Sequence, residues 1–374
     1  MTRVRIPFLD LRAAQAELQR ELDDAWARVN ARGWYILGPE VEAFEAEFAA
    51  WVGARYCIGV GNGLDALRLA LSAMDIGPGD EVIVPAHTYI ATWLAVSHVG
   101  AQLVPVDCDP VTFTFDAAQL EAAVSNRTKV ILPVHLYGQA ADLGAIRSIA
   151  SRVGARVLED AAQAHGTRFH ERRIGSSADA VAWSFYPTKN LGALGDGGAV
   201  TTNDPILADQ VRLLRNYGCH TKYIHDVQGF NTRLDELQAA MLRVKLRHLE
   251  AWNLRRKKVA DRYATGLVGT LLTLPTTPPW STPAWHLYVV RTREREAVRR
   301  DLHAAGVETM VHYPVPPFRQ RAYEDFAAQA SRWPVADQLA GEVLSLPLSP
   351  HLSAADQDVI IETVGECLAR AVAS

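Results

Sequence analysis

Cysteine and one-sided charge are what this sequence has least of. Four cysteines, Cys57, Cys108, Cys219 and Cys367, are scattered through 374 residues without a C-x-x-C pair. Neither a disulfide framework nor a metal site is expected from them. Lysine and arginine total 38 against 42 aspartates and glutamates, a formal net charge of −4. A nucleic-acid-binding chain carries a basic excess, so no nucleic-acid partner is expected; one small basic pocket for a phosphorylated ligand is compatible with the balance. No apolar run approaches the ~20 residues needed to cross a bilayer. The opening stretch, MTRVRIPFLDLRAAQAELQRE, is broken by charges too early for a signal peptide. A soluble cytoplasmic protein with no membrane partner is the expectation.

What is present reads as globular. Apolar residues make up 49% and charged residues 21%, and the length allows two lobes. From residue 81 to 202 short Val- and Ile-rich runs alternate with amphipathic stretches. The runs are Glu81–Pro85, Gln102–Asp107, Thr128–His135, Ala155–Glu159, Ala180–Phe185 and Gly198–Thr202. They lack polar alternation, as strands buried on both faces do. Helical patterns such as Thr92–Val99 and Asp142–Val153 lie between them, so an α/β fold with a largely parallel sheet is expected. A long helical pattern covers about Leu234–Leu267, and Pro275, Pro278, Pro279 and Pro283 then break the chain. Beyond lie a strand at Trp285–Arg291, a helix at Glu294–Ala305, a strand at Val307–His312 and a final helix at Ala354–Ala369. This predicts a large domain over 1–250 and a smaller α+β domain over 251–374.

Three segments carry residues suited to chemistry. In Gly61-Asn62-Gly63 two glycines lead into a helix, whose N-terminal amides and partial positive charge favour a phosphate; an ordinary glycine-rich connection reads the same way. Asp160 ends a predicted buried strand, where ligands of open α/β sheets bind. A desolvated carboxylate there needs a cationic or hydrogen-bonding partner, such as a pyridinium nitrogen, although a helix N-cap also favours aspartate. Lys189 follows an apolar strand and precedes a glycine-rich turn. It is either a surface lysine or an amine that sheds its proton easily enough to form a Schiff base. Ser184, five residues earlier, can offer a hydroxyl to a phosphate. A phosphate cradle, a carboxylate and a lysine in that order are the set a pyridoxal phosphate enzyme needs.

With these in place, the chain resembles the DegT/DnrJ/EryC1/StrS family of sugar-nucleotide aminotransferases, which have the aspartate-aminotransferase fold (PLP fold type I). The likeness covers nearly the whole chain through FLDL, GPEVEAFEAEFA, GVGNGLDAL, GDEVIVPAHTYIATW, PVHLYGQ, VLEDAAQAHG, SFYPTKNLGALGDGGAV, LLRNYG, NTRLDELQAA, WHLY and HYPVP. It implies Lys189 as the Schiff-base lysine and proton shuttle, and Asp160 as partner of the pyridinium. Gln163 is implied at the cofactor's ring oxygen, Ser184 with the backbone at Asn62 and Gly63 at its phosphate, and Tyr89 stacked on its ring. Asn231 is implied to reach the phosphate from the neighbouring subunit, which makes the enzyme a homodimer with shared sites.

The resemblance further implies L-glutamate as amine donor and a dTDP-linked keto-6-deoxyhexose as acceptor. The wording PAHTYIATW, HLYGQ and RNYG is similar to the branch that aminates C3, giving 3-amino-3,6-dideoxy sugars. The alternatives are a C4-specific relative and a non-catalytic binding or regulatory homologue. A dehydratase branch of the family carries histidine in place of the lysine, and Lys189 speaks against it. Trp34, Tyr35, Arg215, Tyr217, His312 and Tyr313 are substrate-side candidates. His135 lies either beside the cofactor or as a satisfied core histidine. The run Arg255-Arg256-Lys257-Lys258 reads as a solvated helix face.

Overall fold

The computed structural model describes residues 6–373, with side chains through residue 368. Helices α1 (Leu11–Arg32) and α2 (Pro39–Val52) precede strand β1 (Tyr56–Val60). Then α3 (Gly63–Ala73), β2 (Glu81–Pro85), α4 (Ile90–His98), β3 (Gln102–Val106), α5 (Ala117–Ala123), β4 (Thr128–Ile131), α6 (Leu143–Val153) and β5 (Arg156–Asp160) alternate. Two-residue strands β6 (Arg168–Phe169) and β7 (Arg172–Arg173) lead to β8 (Ala180–Ser184), β9 (Gly198–Thr202) and α7 (Pro205–Arg215). The long α8 (Glu236–Gly266) follows, then β10 (Ser281–Thr282), β11 (Tyr288–Arg291), α9 (Arg295–Ala304), α10 (Glu324–Ala327), α11 (Pro334–Glu342), β12 (Val343–Leu346) and α12 (Ala354–Ala373). Among the described residues no helix is long and apolar enough to cross a membrane.

Seven strands make the main sheet in the order β1-β9-β8-β5-β4-β2-β3. All run parallel except β9, which is antiparallel to both β1 and β8. Apolar runs on successive residues are required because both faces are covered. In β2, Val82 and Val84 enter one core and Ile83 the opposite one; in β8, Ala180 and Ala182 face one side, Val181 and Trp183 the other. Helices start where the sequence supplies a cap: Asp116, Asp142 and Asp204 each accept the first amides of α5, α6 and α7, worth about 1 kcal/mol apiece.

One expectation changes in the C-terminal part. Strand β11 forms and pairs with β12, but Val307–His312 is not a strand. It makes only isolated bridges, Ile6 with Val307 and Met310 with Ser345, because it passes between two partners without running along either. Helix α8 is continuous through residue 250, as the periodicity over Leu234–Leu267 predicts.

The start of α8 is tied to the start of α2 by one carboxylate. Glu236 is 1% exposed and accepts the amides of Gly38 (2.9 Å), Glu40 (3.0 Å) and Val41 (2.8 Å). These are helix N-terminal amides with no partner inside their own helix. Glu236→Gln leaves one of them facing an NH₂ group and should destabilise the fold by about 2 kcal/mol. A urea midpoint lowered at unchanged slope would show it; an unmoved midpoint would refute the clamp.

Candidate active site

The carboxyl ends of β1, β5 and β8 open on one edge of the sheet, the usual place for a ligand crevice. Each delivers one of the expected groups. After β1, Asn62 caps α3, with its Oδ1 accepting the Asp65 amide at 2.9 Å. The amides of Gly63 and Leu64 are left without an acceptor among the described residues. A Cβ on Gly63 would stand 2.6 Å from the Ser184 Cβ, so only glycine lets α3 approach the end of β8 closely. Free helix amides beside a serine hydroxyl form a phosphate cradle.

Asp160 ends β5 and is 6% exposed. No helix follows it, which disposes of the capping alternative. Its carboxylate accepts from Thr92 Oγ1 at 3.0 Å and from the Ala162 amide at 3.1 Å. Burial raises its pKa, opposed by those two bonds and by the nearby charge of Lys189. A carboxylate so placed gains from a cation arriving in front of it.

Lys189 lies half-buried in the loop after β8. The loop is held at four points: Lys189 N–H to Tyr186 O at 2.8 Å, Ala193 N–H to Phe185 O at 2.8 Å, Leu194 N–H to Gln238 Oε1 at 2.7 Å, and Lys245 Nζ to Gly192 O at 2.7 Å. Desolvation lowers the Lys189 pKa to about 8, with Asp160 pulling the other way. At pH 7 about one amine in ten is then neutral, against about one in 3,000 for an unperturbed lysine. In cofactor-free protein, borohydride trapping of added pyridoxal on the Lys189 peptide should climb between pH 7 and 9 and then level off. A yield still rising past pH 10 would contradict the lowered pKa.

The remaining expected groups fall into two sets. Gln163 accepts the Tyr137 amide at 2.6 Å and donates from Nε2 to Tyr313 Oη at 2.9 Å. The Tyr313 ring lies 5.2 Å from the ring of Tyr89, tilted by 36°. His312 is held by Ser345 Oγ at 2.8 Å, and its pKa is lowered to about 4 by burial and by the charge of Lys189. These residues gather around the Lys189 end of the sheet. Trp34, Tyr35, Tyr217 and Asn231 do not join them in the single chain. They are exposed, near where Ile36 bridges Asp235 and Asn216 bridges Asn231. Arg233 joins that patch, donating to Asn216 Oδ1 at 2.8 Å with its guanidinium 5.4 Å from the Tyr217 ring. Arg215 is spent internally on Glu45 (2.5 Å) and the Gly59 carbonyl (2.7 Å).

Two sequence expectations are decided here. His135 is a satisfied core histidine: its Nδ1 accepts the Ala141 amide at 3.1 Å, so Nε2 carries the proton and donates to Glu159 Oε2 at 3.1 Å. The solvated basic face is wrong for one member. Arg255, Lys257 and Lys258 are exposed, whereas Arg256 is 5% exposed, because α8 turns that one position toward the body. Sequence reading also passed over Thr92, Asn190 and Lys245. No spacing in the sequence singles out any of the three.

Comparison with known proteins agrees with this geometry. The profile of the DegT/DnrJ/EryC1/StrS aminotransferase family matches residues 16–365. The erythromycin biosynthesis sensory transduction protein EryC1 of Saccharopolyspora erythraea is 56% identical over 96% of this chain and 98% of its own. The dTDP-3-amino-3,6-dideoxy-alpha-D-galactopyranose transaminase of Aneurinibacillus thermoaerophilus is 49% identical over 96% and 98%. The crystal structure of DesV from S. venezuelae, in complex with a ketimine intermediate, superposes with a TM-score of 0.96 at 52% identity, covering 97% of this chain and 98% of that one. Sheet, crevice and match over almost the whole length lead to one conclusion: the chain belongs to the DegT/DnrJ/EryC1/StrS aminotransferase family.

Proposed function

We propose that this protein is a pyridoxal phosphate-dependent aminotransferase that carries the amino group of L-glutamate to C3 of a dTDP-linked keto-6-deoxyhexose. The products are 2-oxoglutarate and a dTDP-3-amino-3,6-dideoxyhexose. The observation that carries the reading is the pairing of a lysine made less basic by burial with a buried carboxylate at one sheet edge. The activities of the Aneurinibacillus enzyme and of a 52% identical dTDP-3-amino-3,4,6-trideoxy-alpha-D-glucose transaminase from Streptomyces venezuelae support the substrate class. The free thiols Cys57, Cys108 and Cys219 suit a reducing cytoplasm.

The residues present fit the cofactor. Ser184 and the amides of Gly63 and Leu64 would hold its phosphate, Asp160 its ring nitrogen, and Tyr89 one ring face, with Gln163 at the ring oxygen. Bound there, pyridoxal phosphate supplies an electron-withdrawing ring that stabilises negative charge at the reacting carbon. Asp160 keeps the ring nitrogen protonated by offering it a fixed negative charge in a dry site. Thr92 and the Ala162 amide keep that carboxylate oriented. Lys189 Nζ takes the proton from the donor carbon and later returns one to the sugar carbon, which a pKa of about 8 suits at neutral pH. The exposed patch of Trp34, Tyr35, Tyr217 and Asn231 supports a homodimer in which these residues complete the partner's site. Light scattering should give twice the chain mass.

The deciding assay supplies 2-oxoglutarate to the purified protein with a panel of dTDP-3-amino and dTDP-4-amino sugars and measures glutamate. Glutamate from the 3-amino members alone bears the proposal out. Turnover confined to 4-amino members moves the reaction to C4. The name of EryC1 favours a regulatory reading; absence of turnover, together with failure to take up cofactor, would decide for it.

A further inference from the structure

A cavity of about 790 Å³ opens beside the Lys189 loop. Thr188, His286 and His312 form its wall on the lysine side, and Arg256 and Leu348 form another part of the lining. His286 is fixed by the residue next to Lys189: its Nδ1–H donates to Asn190 Oδ1 at 3.2 Å. Asn190 is anchored in turn, donating to the Ala284 carbonyl at 2.8 Å.

Arg256 is the unusual member. It is 5% exposed, and among the described residues its one hydrogen bond is a long one, Nη1 to the Leu348 carbonyl at 3.3 Å. Its Nε is buried without any acceptor, and no carboxylate of the described residues pairs with it. Burial lowers its pKa to about 10. A guanidinium offers five donors in a planar fork; leaving the Nε–H dry and unpaired in a buried cation is costly unless an anion arrives. Among the described residues, the neighbouring groups leave it as the unpaired cation of the cavity. Glu308 also lines the space but pairs with His303 at 3.1 Å. Burial holds His286 and His312 neutral, and the Lys189 charge depresses both further.

We infer that Arg256 receives a carboxylate of the amino-acid donor, so that the cavity between it and Lys189 is the donor's binding site. The inference rests on the aminotransfer reading above and adds to it the residue that selects a dicarboxylic donor. The fork geometry favours a planar carboxylate taken by two parallel bonds. The nucleotide diphosphate is the competing anion, and the test separates the two.

Glutarate, which has no amine to transfer, is the probe for the donor and dTDP the probe for the nucleotide. In calorimetry on the holoenzyme, Arg256→Gln should weaken glutarate binding by about 100-fold and leave dTDP unchanged. Arg256→Lys, which keeps the charge but not the fork, should lose about tenfold. In stopped flow, the spectral change driven by glutamate should slow in step with the glutarate loss, while that driven by a dTDP-3-amino sugar keeps its rate. Loss of dTDP affinity with glutarate intact overturns the inference, as does no change in either. Should both variants prove unstable, a crystal of the unaltered holoenzyme soaked in glutarate decides: a carboxylate on the Arg256 guanidinium supports the site, and glutarate elsewhere or absent overturns it. A wild-type protein without aminotransfer but with Arg256-dependent glutarate binding would fail the functional reading and keep the binding site.

Discussion

Lys189→Ala is expected to abolish aminotransfer, with a loss of at least about 10⁴-fold in kcat, because one side chain is both the covalent anchor and the proton carrier. The fold should survive. Lys189 Nζ has no hydrogen bond of its own among the described residues, and the loop around it is held by Lys245, Gln238 and backbone amides. Removing a half-buried amine that is short of its proton costs little stability. The variant should therefore melt near the wild-type temperature and keep weak cofactor binding through the phosphate cradle. Added methylamine should restore a small part of the rate. Wild-type turnover in Lys189→Ala would refute the assignment.

Asp160→Asn is expected to lower kcat by about 10²–10³-fold, the usual cost of deleting one preorganised charge at a reacting centre. Asparagine has nearly the same shape: its Oδ1 can accept from the Ala162 amide and its NH₂ can donate to the Thr92 hydroxyl, which then donates to Thr88 Oγ1, so packing is preserved. What is lost is the negative charge that holds a proton on the ring nitrogen. Thr92→Val is the control: it frees one of the two bonds to Asp160 but leaves the charge, so its loss should be about tenfold or less. Equal losses in the two variants would mean that Asp160 matters for structure and not for charge. Spectra of the two holoenzymes distinguish these outcomes, since only Asp160→Asn should alter the protonation of the ring.

Much of this was legible in the sequence. The six runs that read as doubly buried strands are six of the seven strands of the main sheet, because a sheet covered on both faces leaves no polar alternation to obscure them; β1 at Tyr56–Val60 was not read. Asp142–Val153 and Leu234–Leu267 read as helices to within two residues at each end, since an aspartate cap marks one and periodicity the other. Lys189, Asp160 and Ser184 stood out because each follows an apolar run. Val307–His312 was misread because apolar content alone does not supply a neighbouring strand. Arg256 was misread for the opposite reason. Four consecutive basic residues look solvated on average, but a helix turns 100° per residue, and one of four adjacent positions can face inward. Trp34, Tyr217 and Asn231 stood out in their motifs, but in the single chain they stay exposed and meet nothing that tells their role.

Helix α8 carries a consequence of its own. Lys245, which grips the loop after Lys189, and Arg256 are eleven residues apart on one uninterrupted helix. Eleven residues make three turns to within about 20°, so both side chains project from the same side at a spacing of about 16 Å. The distance between catalytic amine and carboxylate receptor is thus set by a rigid gauge, which tunes the length of donor that fits. One alanine inserted between the two would swing the guanidinium by about 100° and leave the lysine where it is, uncoupling donor choice from chemistry by torsion alone.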